Sequence, residues 1–331
     1  MTMKHVDIII PPVINHNLDP HTGIPFLPHM AGYLASGINS IGYEVNVIDS
    51  FGINSKEIKR YKSFLMIGLS PEKIIEKINP NSKVCFIYCK VIEDLFGVEK
   101  VIEKIKEKFP EKKICLFENI QTTNSFSLKK IINYLFNKGC DFAIFGEPEN
   151  KIQKFLDNIN SYEILSEIPG IAFKLKNEIK VNDIEEYNKN LDDIPFPLWE
   201  KFDMKGYWSA GYSHAPVKKG KKFLPIISSR GCPYRCKFCV SPTLNPIWRK
   251  RSALNVVNEM EYFNKKMGIS DFHISDLDPT VNEKRIVNIA EEIIKRKLNI
   301  EWKLSQGTKV ETIKNLSSLE IMKKSGLSFF S

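Results

Sequence analysis

Long apolar stretches are missing from this 331-residue sequence. No run approaches the roughly 20 residues that a membrane-spanning helix requires, so a helical membrane protein is excluded. The first residues lead directly into a strand-like segment and show no secretion signal, and we therefore expect a cytosolic protein. Cysteine is also scarce, with seven residues. In a reducing compartment these are metal ligands, reactive thiols or core residues rather than disulfides.

Negative charge is in the minority, because 39 acidic residues face 48 basic ones and the net charge is +9. Most lysines alternate with glutamate along helical stretches such as 98–113. This pattern is typical of solvated helix faces, and we do not expect a nucleic-acid partner. Denser basic clusters at 218–222 and 248–251 lie on either side of three cysteines and favour an anionic substrate or cofactor there.

Residues 1–150 alternate between strand-like and helical patterns. The strand-like runs lie at 6–10, 43–50, 83–89, 112–118 and 142–147. Between them, apolar residues recur at steps of three or four, as on one face of a helix. The alternation predicts an α/β domain with an open parallel sheet and helices on both faces. We interpret its four cysteines as buried core residues; they are Cys85, Cys89, Cys115 and Cys140.

Residues 151–200 are predicted to form a hairpin that turns at Lys176–Asn177, followed by a linker with two prolines. Strand and helix patterns then alternate again in 201–331, with strands at 223–229, 271–276, 301–306 and 327–330. Successive β-α units of this kind predict a parallel barrel whose chemistry lies at the carboxyl ends of its strands. Four strands do not close a barrel, so we expect a partial barrel that ends inside its fourth strand.

Three cysteines in the stretch RGCPYRCKFC, Cys232, Cys236 and Cys239, have the spacing C-x3-C-x2-C. Structural zinc normally takes four ligands from separated Cys-x2-Cys pairs, and the sequence has no second pair. A [4Fe-4S] cluster on three thiolates leaves one iron open. That iron is able to chelate S-adenosylmethionine (SAM), whose reductive cleavage yields methionine and a 5′-deoxyadenosyl radical. The spacing therefore favours a SAM-cleaving cluster over zinc.

The motif, with an aromatic residue before its last cysteine, resembles that of the radical SAM superfamily. Its flanks at 229–242, 249–263 and 272–285, with 168–179 and 191–199 upstream and, more weakly, 24–50 and 142–149, resemble the cobalamin-binding-domain radical SAM proteins. The resemblance implies a Rossmann-like corrinoid domain over 1–150, the linker over 151–200 and a radical SAM barrel over 201–331.

The resemblance also implies roles for single residues. Phe238 is expected to lie against the adenine of SAM. Asp276, at the end of the second barrel strand, is expected to receive the SAM amino group, the alternative being a strand-end cap. The family often shows Asp-Asp there, whereas this sequence has Asp276-Leu277-Asp278.

Cobalamin is a further cofactor that the resemblance implies. His21, in Asp19-Pro-His21-Thr-Gly23, is a candidate lower ligand of cobalt, although the spacing to the glycine is one residue shorter than in cobalamin domains. The alternative is an ordinary loop histidine. Bulky residues in FENIQTT, at 117–123, stand where the family commonly has a Gly-Gly turn. Cobalamin binding therefore stays open.

The function that the resemblance implies is reductive SAM cleavage followed by cobalamin-dependent methylation of an unactivated carbon in a small-molecule substrate. A low-potential donor such as flavodoxin or ferredoxin would supply electrons. The alternatives are a radical SAM cyclase or oxidoreductase without methyl transfer, and a truncated, non-catalytic corrinoid-binding relative. Because four strands leave the segment LSFF as an open edge, we expect self-association and incomplete catalysis.

Overall fold

The computed structural model describes residues 4–123, 125–176, 178–183, 187–211, 215–218 and 220–331. Asn177 of the expected turn, Lys219 of the basic cluster and positions 184–186 of the linker lie outside the described residues. Two compact units are formed. The first comprises the described residues of 1–120, 124–188 and 194–207, and the second those of 121–123, 189–193 and 208–331. The domain bounds expected from the sequence stay a prediction.

The first unit contains ten strands and seven α-helices among its described residues. The strands are β1 (Lys4–Ile10), β2 (Val13–His16), β3 (Tyr43–Asp49), β4 (Ile58–Arg60), β5 (Phe64–Ile67), β6 (Val84–Cys89), β7 (Lys113–Glu118), β8 (Phe142–Ile144), β9 (Ile171–Leu175) and β10 (Glu178–Val181). The helices are α1 (His29–Ser40), α2 (Ser50–Ile53), α3 (Pro71–Glu76), α4 (Leu95–Lys108), α5 (Leu128–Asn137), α6 (Ile152–Asp157) and α7 (Tyr162–Leu165). Short 3-10 turns occur at Ile92–Asp94 and Trp199–Lys201 in this unit and at Leu191–Asp193 in the second unit.

The main sheet of this unit has the order β10-β9-β8-β7-β6-β1-β3. Five neighbouring strands, β3, β1, β6, β7 and β8, run parallel, as the alternating sequence pattern predicts. The expected hairpin β9–β10 continues the sheet antiparallel. Helix α4 buries Val98, Val101, Ile102 and Ile105 against the sheet. All four cysteines of this unit are buried, where the raised pKa of each thiol keeps it uncharged. A small antiparallel sheet, β2-β5-β4, lies beside the main one.

Six strands of the second unit are β11 (Phe223–Ile226), β12 (Ser229–Arg230), β13 (Arg249–Lys250), β14 (Asp271–Ile274), β15 (Glu301–Leu304) and β16 (Leu327–Phe330). The helices from 205 onward are α8 (Lys205–Ala210), α9 (Ser241–Leu244), α10 (Ala253–Met267), α11 (Glu283–Lys295) and α12 (Leu316–Lys324), with a 3-10 turn at Val310–Thr312. Strands β11, β14, β15 and β16 pair in this order, all parallel, with long helices in the crossovers. Successive parallel β-α units of this kind form part of a barrel wall.

Helix α10 shows how the local sequence sets these crossovers. The Ser252 side chain accepts the Asn255 N–H at 3.1 Å and caps the amino end. Gly268, at φ +68°, ends the helix in a left-handed conformation that favours glycine. Between these caps, Val256, Met260 and Phe263 form a fully buried stripe. In the described residues, no helix is both long and apolar enough to cross a membrane.

Candidate functional site

The three motif cysteines differ from the other four in being accessible to solvent. Cys232, Cys236 and Cys239 lie in the loop between β12 and α9, with Cys236 exposed and the other two partly buried. The Ser241 N–H points at Cys239 Sγ at 3.4 Å. Partial burial raises the pKa of the Cys232 thiol, and a hydrogen bond from the Tyr234 backbone opposes this rise. Accessible sulfurs that receive backbone N–H groups are suited to bind metal as thiolates.

The arrangement of the thiols bears on which metal group fits. Across the described ranges, no three His, Cys, Asp or Glu side chains are grouped so that they could hold one metal ion. A zinc ion needs all its sulfur ligands at about 2.3 Å from one centre. In an iron–sulfur cluster each thiolate binds a different iron, so the sulfurs stand farther apart. Three accessible thiols within eight residues, Cys232 to Cys239, fit a cluster without requiring such a grouping.

A glycine makes the turn into the cysteine loop possible. Gly231, which directly precedes Cys232, has φ +77°, in the left-handed region. A Cβ at this position would lie 2.2 Å from the carbonyl oxygen of Ile247. Both the conformation and the space therefore exclude a side chain, and the motif's RGC sequence has a structural reason.

The backbone that leads into this turn is fixed by buried side chains. Three consecutive carbonyl oxygens, at 227–229, each accept a hydrogen bond from a different residue. These are Arg251 Nη1 to Ile227 at 3.0 Å, Arg285 Nη2 to Ser228, and Gln121 Nε2 to Ser229 at 2.9 Å. Burial, together with the nearby Arg251, lowers the pKa of Arg285, while the charge of Asp276 opposes this change. We call the three donors the loop anchors.

Asp276 lies two residues after the end of β14 and is fully buried. Its Oδ1 accepts the Ser228 N–H, and its Oδ2 accepts the hydroxyls of Ser228 and Ser229, all at 2.6 Å. These bonds join the end of β14 to the backbone after β11, as a strand-end cap does. The role of Asp276 as the acceptor of the SAM amino group remains a prediction.

Asp278 is a second carboxylate in this region, to which the sequence reading assigned no role. Only 3% of it is exposed, and its Oδ1 accepts the N–H and hydroxyl of Thr280, each at 3.0 Å. Its Oδ2 makes no hydrogen bond in the described part of the chain. Burial raises the pKa of Asp278, opposed by Thr280 and by the Lys309 backbone. Its charge acts on the pKa of Cys232, which places it in the electrostatic neighbourhood of the cysteine loop.

Phe238 is 86% exposed, although phenylalanine is usually buried. In the same loop, Tyr234 has the Lys309 ammonium 4.1 Å from its ring centroid. The loop therefore presents the open aromatic face of Phe238, and its Tyr234 ring has a cation over it. The role of Phe238 against adenine remains a prediction.

His21 lies in the first unit, far in sequence from the cysteines. Its side chain is exposed, and its backbone N–H donates to Asp19 Oδ1 at 2.9 Å. The imidazole borders a cavity of about 40 Å³ together with Thr22 and Glu93. This volume suits a water molecule or two rather than a nucleotide. The role of His21 as a cobalt ligand remains a prediction.

The comparison with protein families agrees with the motif. Residues 226–331, which include the three motif cysteines, match the model of the radical SAM superfamily. The chain is 24% identical to cytidylyl-2-hydroxyethylphosphonate methyltransferase of Streptomyces wedmorensis, over 89% of this chain and 58% of the relative. It is also 24% identical to the anaerobic magnesium-protoporphyrin IX monomethyl ester cyclase of Rubrivivax gelatinosus, over 91% of this chain and 50% of the relative. The chain thus spans about half the length of these curated relatives.

Among solved structures, the fold is similar to that of TsrM, a radical SAM methyltransferase from Kitasatospora setae. The form with tryptophan and a SAM analogue matches with a TM-score of 0.69 and 14% identity, over 99% of this chain and 58% of TsrM. The form with cobalamin and a [4Fe-4S] cluster matches with a TM-score of 0.66. At this identity the likeness concerns the fold alone. It confirms the predicted class, a Rossmann-like parallel-sheet unit followed by part of a radical SAM barrel.

Proposed function

We propose that this chain belongs to an enzyme that cleaves SAM reductively at a [4Fe-4S] cluster held by Cys232, Cys236 and Cys239. The observation that carries the proposal is the accessible three-cysteine loop, held by buried anchors directly after a barrel strand. When bound, the cluster supplies an open iron for SAM and the electron that breaks its S–C5′ bond. The matched radical SAM domain contains all three cysteines.

The chain's own residues orient SAM in this proposal. Phe238 offers an apolar face to the adenine. The SAM ammonium needs a carboxylate, and two are at hand. Both carboxylate oxygens of Asp276 already accept hydrogen bonds from Ser228 and Ser229, whereas the Oδ2 of Asp278 accepts none in the described part of the chain. We therefore add Asp278 to Asp276 as a candidate acceptor, since a charge-assisted hydrogen bond would satisfy that oxygen.

We further propose that the enzyme methylates an unactivated carbon of a small molecule with the help of cobalamin. Support comes from the methyltransferase among the relatives and from the cobalamin bound to TsrM. In this proposal the sheet unit binds the corrinoid and His21 is a candidate lower ligand. Cyclisation without methyl transfer is the second candidate, since a cyclase relative covers 91% of the chain. A flavodoxin- or ferredoxin-type donor and a cytosolic location fit an enzyme whose accessible thiols must stay reduced.

Anaerobic reconstitution with iron and sulfide tests the cluster. We expect about four irons per chain and an electron paramagnetic resonance (EPR) signal after reduction that changes when SAM is added. The Cys232→Ala, Cys236→Ala, Cys239→Ala triple variant should lose the iron. The control, Cys140→Ala, removes a thiol from the other unit and should keep it. Stoichiometric zinc in the native protein, or iron retained by the triple variant, would show that the assignment is wrong.

Cobalamin is tested separately, by titrating hydroxocobalamin and recording the visible spectrum. Saturable binding supports the methyltransferase, and its absence favours the cyclisation chemistry. If the imidazole is a cobalt ligand, His21→Ala should alter the spectrum of the bound form. An unchanged spectrum would remove His21 from the site while leaving cobalamin in place.

A further inference from the structure

Residues 121–123 contact the chain on both sides of the cysteine loop. Before the loop, Gln121 Nε2 donates to the carbonyl oxygen of Ser229 at 2.9 Å. After the loop, the Val240 N–H donates to the carbonyl oxygen of Thr123 at 3.1 Å. Residues 121–123, more than a hundred residues earlier in the chain, are therefore hydrogen-bonded both before the first motif cysteine and after the last one.

The Gln121 side chain makes a second contact that no apolar residue could reproduce. It is 3% exposed, and its Oε1 faces the Gly231 N–H at 3.5 Å, the long limit of a hydrogen bond. The Gln121 amide thus donates to the Ser229 carbonyl and accepts from the Gly231 N–H, on either side of Arg230. Gly231 directly precedes Cys232, so this contact is one peptide unit from the first cluster thiol.

The other two loop anchors differ from Gln121 in charge and origin. Arg251 and Arg285 come from the second unit's own β-α segments and carry positive charge. Gln121 is neutral and comes from 108 residues before the carbonyl it holds. Replacing it with methionine changes the position of the backbone without changing the charge near the cysteines, which separates geometry from electrostatics.

We propose that Gln121 is a positioning residue for the cluster, a role that rests on the proposed function of the three cysteines. By fixing Ser229 and Gly231, Gln121 fixes the backbone that carries Cys232 and the Tyr234 N–H beside its sulfur. Hydrogen bonds to the sulfurs and access of solvent set both the reduction potential and the retention of such clusters. A loop released at this point therefore changes both properties, even though Gln121 is not a ligand.

The test compares the reconstituted wild type with Gln121→Met and Gln121→Glu. Methionine has a similar volume but neither hydrogen bond and no charge. Glutamate keeps an acceptor for Gly231, loses the donor to Ser229 and adds a carboxylate, so the methionine variant isolates the effect of geometry. Gln153→Met, on the exposed face of α6, is the matched control. Iron loss to a chelator and the midpoint potential, from EPR-monitored titration, are measured without SAM or substrate. We expect both Gln121 variants to lose iron at least fivefold faster, since the loss of one neutral hydrogen bond corresponds to about that change. Their potentials should be lower, and Gln153→Met should match the wild type.

The outcomes separate this proposal from the proposed function. A wild type that assembles four irons, with both Gln121 variants unchanged in potential and in iron loss, would overturn the positioning role while the cluster stands. A wild type that binds no cluster would overturn the proposed function itself, and this role with it. The potential is read only from chains that carry a cluster, so it remains informative even if one variant folds less well.

Discussion

Glu118→Gln should make the stability of the first unit less dependent on pH. Glu118 ends β7 and is buried, and its Oε2 accepts the Leu128 N–H at 3.2 Å. Burial raises the pKa of Glu118 from 4.5 to about 7, against the effect of this hydrogen bond. Glutamine keeps an acceptor for Leu128 but carries no charge, so the substitution removes only the titration.

The size and sign of the effect follow from the two pKa values. The folded chain binds the proton more tightly than the unfolded chain, so stability is lost as pH rises from 4.5 through about 7. Each pKa unit corresponds to about 1.4 kcal/mol, so the buried charge costs on the order of 3 kcal/mol above pH 7. Glu118→Gln should avoid this cost at pH 8 and gain far less at pH 5. Asp49, whose pKa burial raises to about 6, titrates in both proteins and cancels in the comparison.

Hydrogen exchange of peptides from β7, read by mass spectrometry, measures this difference within the unit concerned. At pH 8, amides of β7 should exchange on the order of a hundredfold more slowly in Glu118→Gln than in the wild type, if they exchange by unfolding of the unit. At pH 5 the two proteins should be within a few-fold of each other. The control is Glu163→Gln on exposed α7, which should change neither value. An equal ratio at both pH values would refute the argument that a buried charge on Glu118 destabilises the unit.

Two further predictions concern the second unit. Asp278→Asn should weaken SAM binding to the reconstituted protein about tenfold or more, because the SAM ammonium loses a charged partner, and it should leave the iron content unchanged. Isothermal titration with SAM measures the affinity. An unchanged affinity would leave Asp276 as the remaining candidate. Lys303→Met should lower the free energy of unfolding by about 3–5 kcal/mol, because Lys303 Nζ holds buried Asp271 at 2.6 Å and the carboxylate would stay buried without this cation, with His273 beside it. Urea unfolding measures this, with Lys295→Met on the solvent face of α11 as the control; equal losses in both variants would contradict it.

The parallel sheets were predictable because their signals are local and repeated. Apolar runs of five to seven residues, separated by helical periods, are typical of buried parallel strands. The strands β6 and β7 are buried along nearly their whole length and match these runs closely. The small sheet β2-β5-β4 was missed because its strands have only three or four residues, and β4 is exposed throughout. A strand of three or four residues is too short to show a recognisable alternation of apolar and polar residues.

The candidate site likewise contains residues that the sequence could predict and residues that it could not. The cysteines could be found from spacing alone, since one cluster requires them within one loop. The loop anchors could not, because nothing in the sequence distinguishes Gln121, Arg251 or Arg285 from other polar residues. Their function depends on pairs 24 to 108 residues apart that only the folded chain brings together. Asp278 did have a signal, the Asp-Leu-Asp sequence, but spacing alone does not show which carboxylate keeps an oxygen without a hydrogen bond.

Arg251 allows the contribution of an anchor to stability to be separated from its contribution to the cluster. Its Nη1 donates both to the Ile227 carbonyl and to fully buried Glu259, the latter at 2.5 Å. Glu259→Gln leaves a buried cation without its counter-charge and should cost about 3–5 kcal/mol. Replacing both partners, in the Arg251→Met, Glu259→Leu double variant, should recover most of that loss, because apolar residues of similar volume pay no desolvation penalty.

The same double variant has no donor for the Ile227 carbonyl. If the loop anchors act on the cluster through the backbone, the double variant should unfold at a higher urea concentration than Glu259→Gln and still lose iron several-fold faster than the wild type to a chelator. Stability and iron retention would then move independently, which a purely structural ion pair does not allow. If the double variant kept its iron as long as the wild type, the role of Arg251 would be confined to its contacts with Glu259 and Asn255, and the carbonyl at 227 would need no anchor.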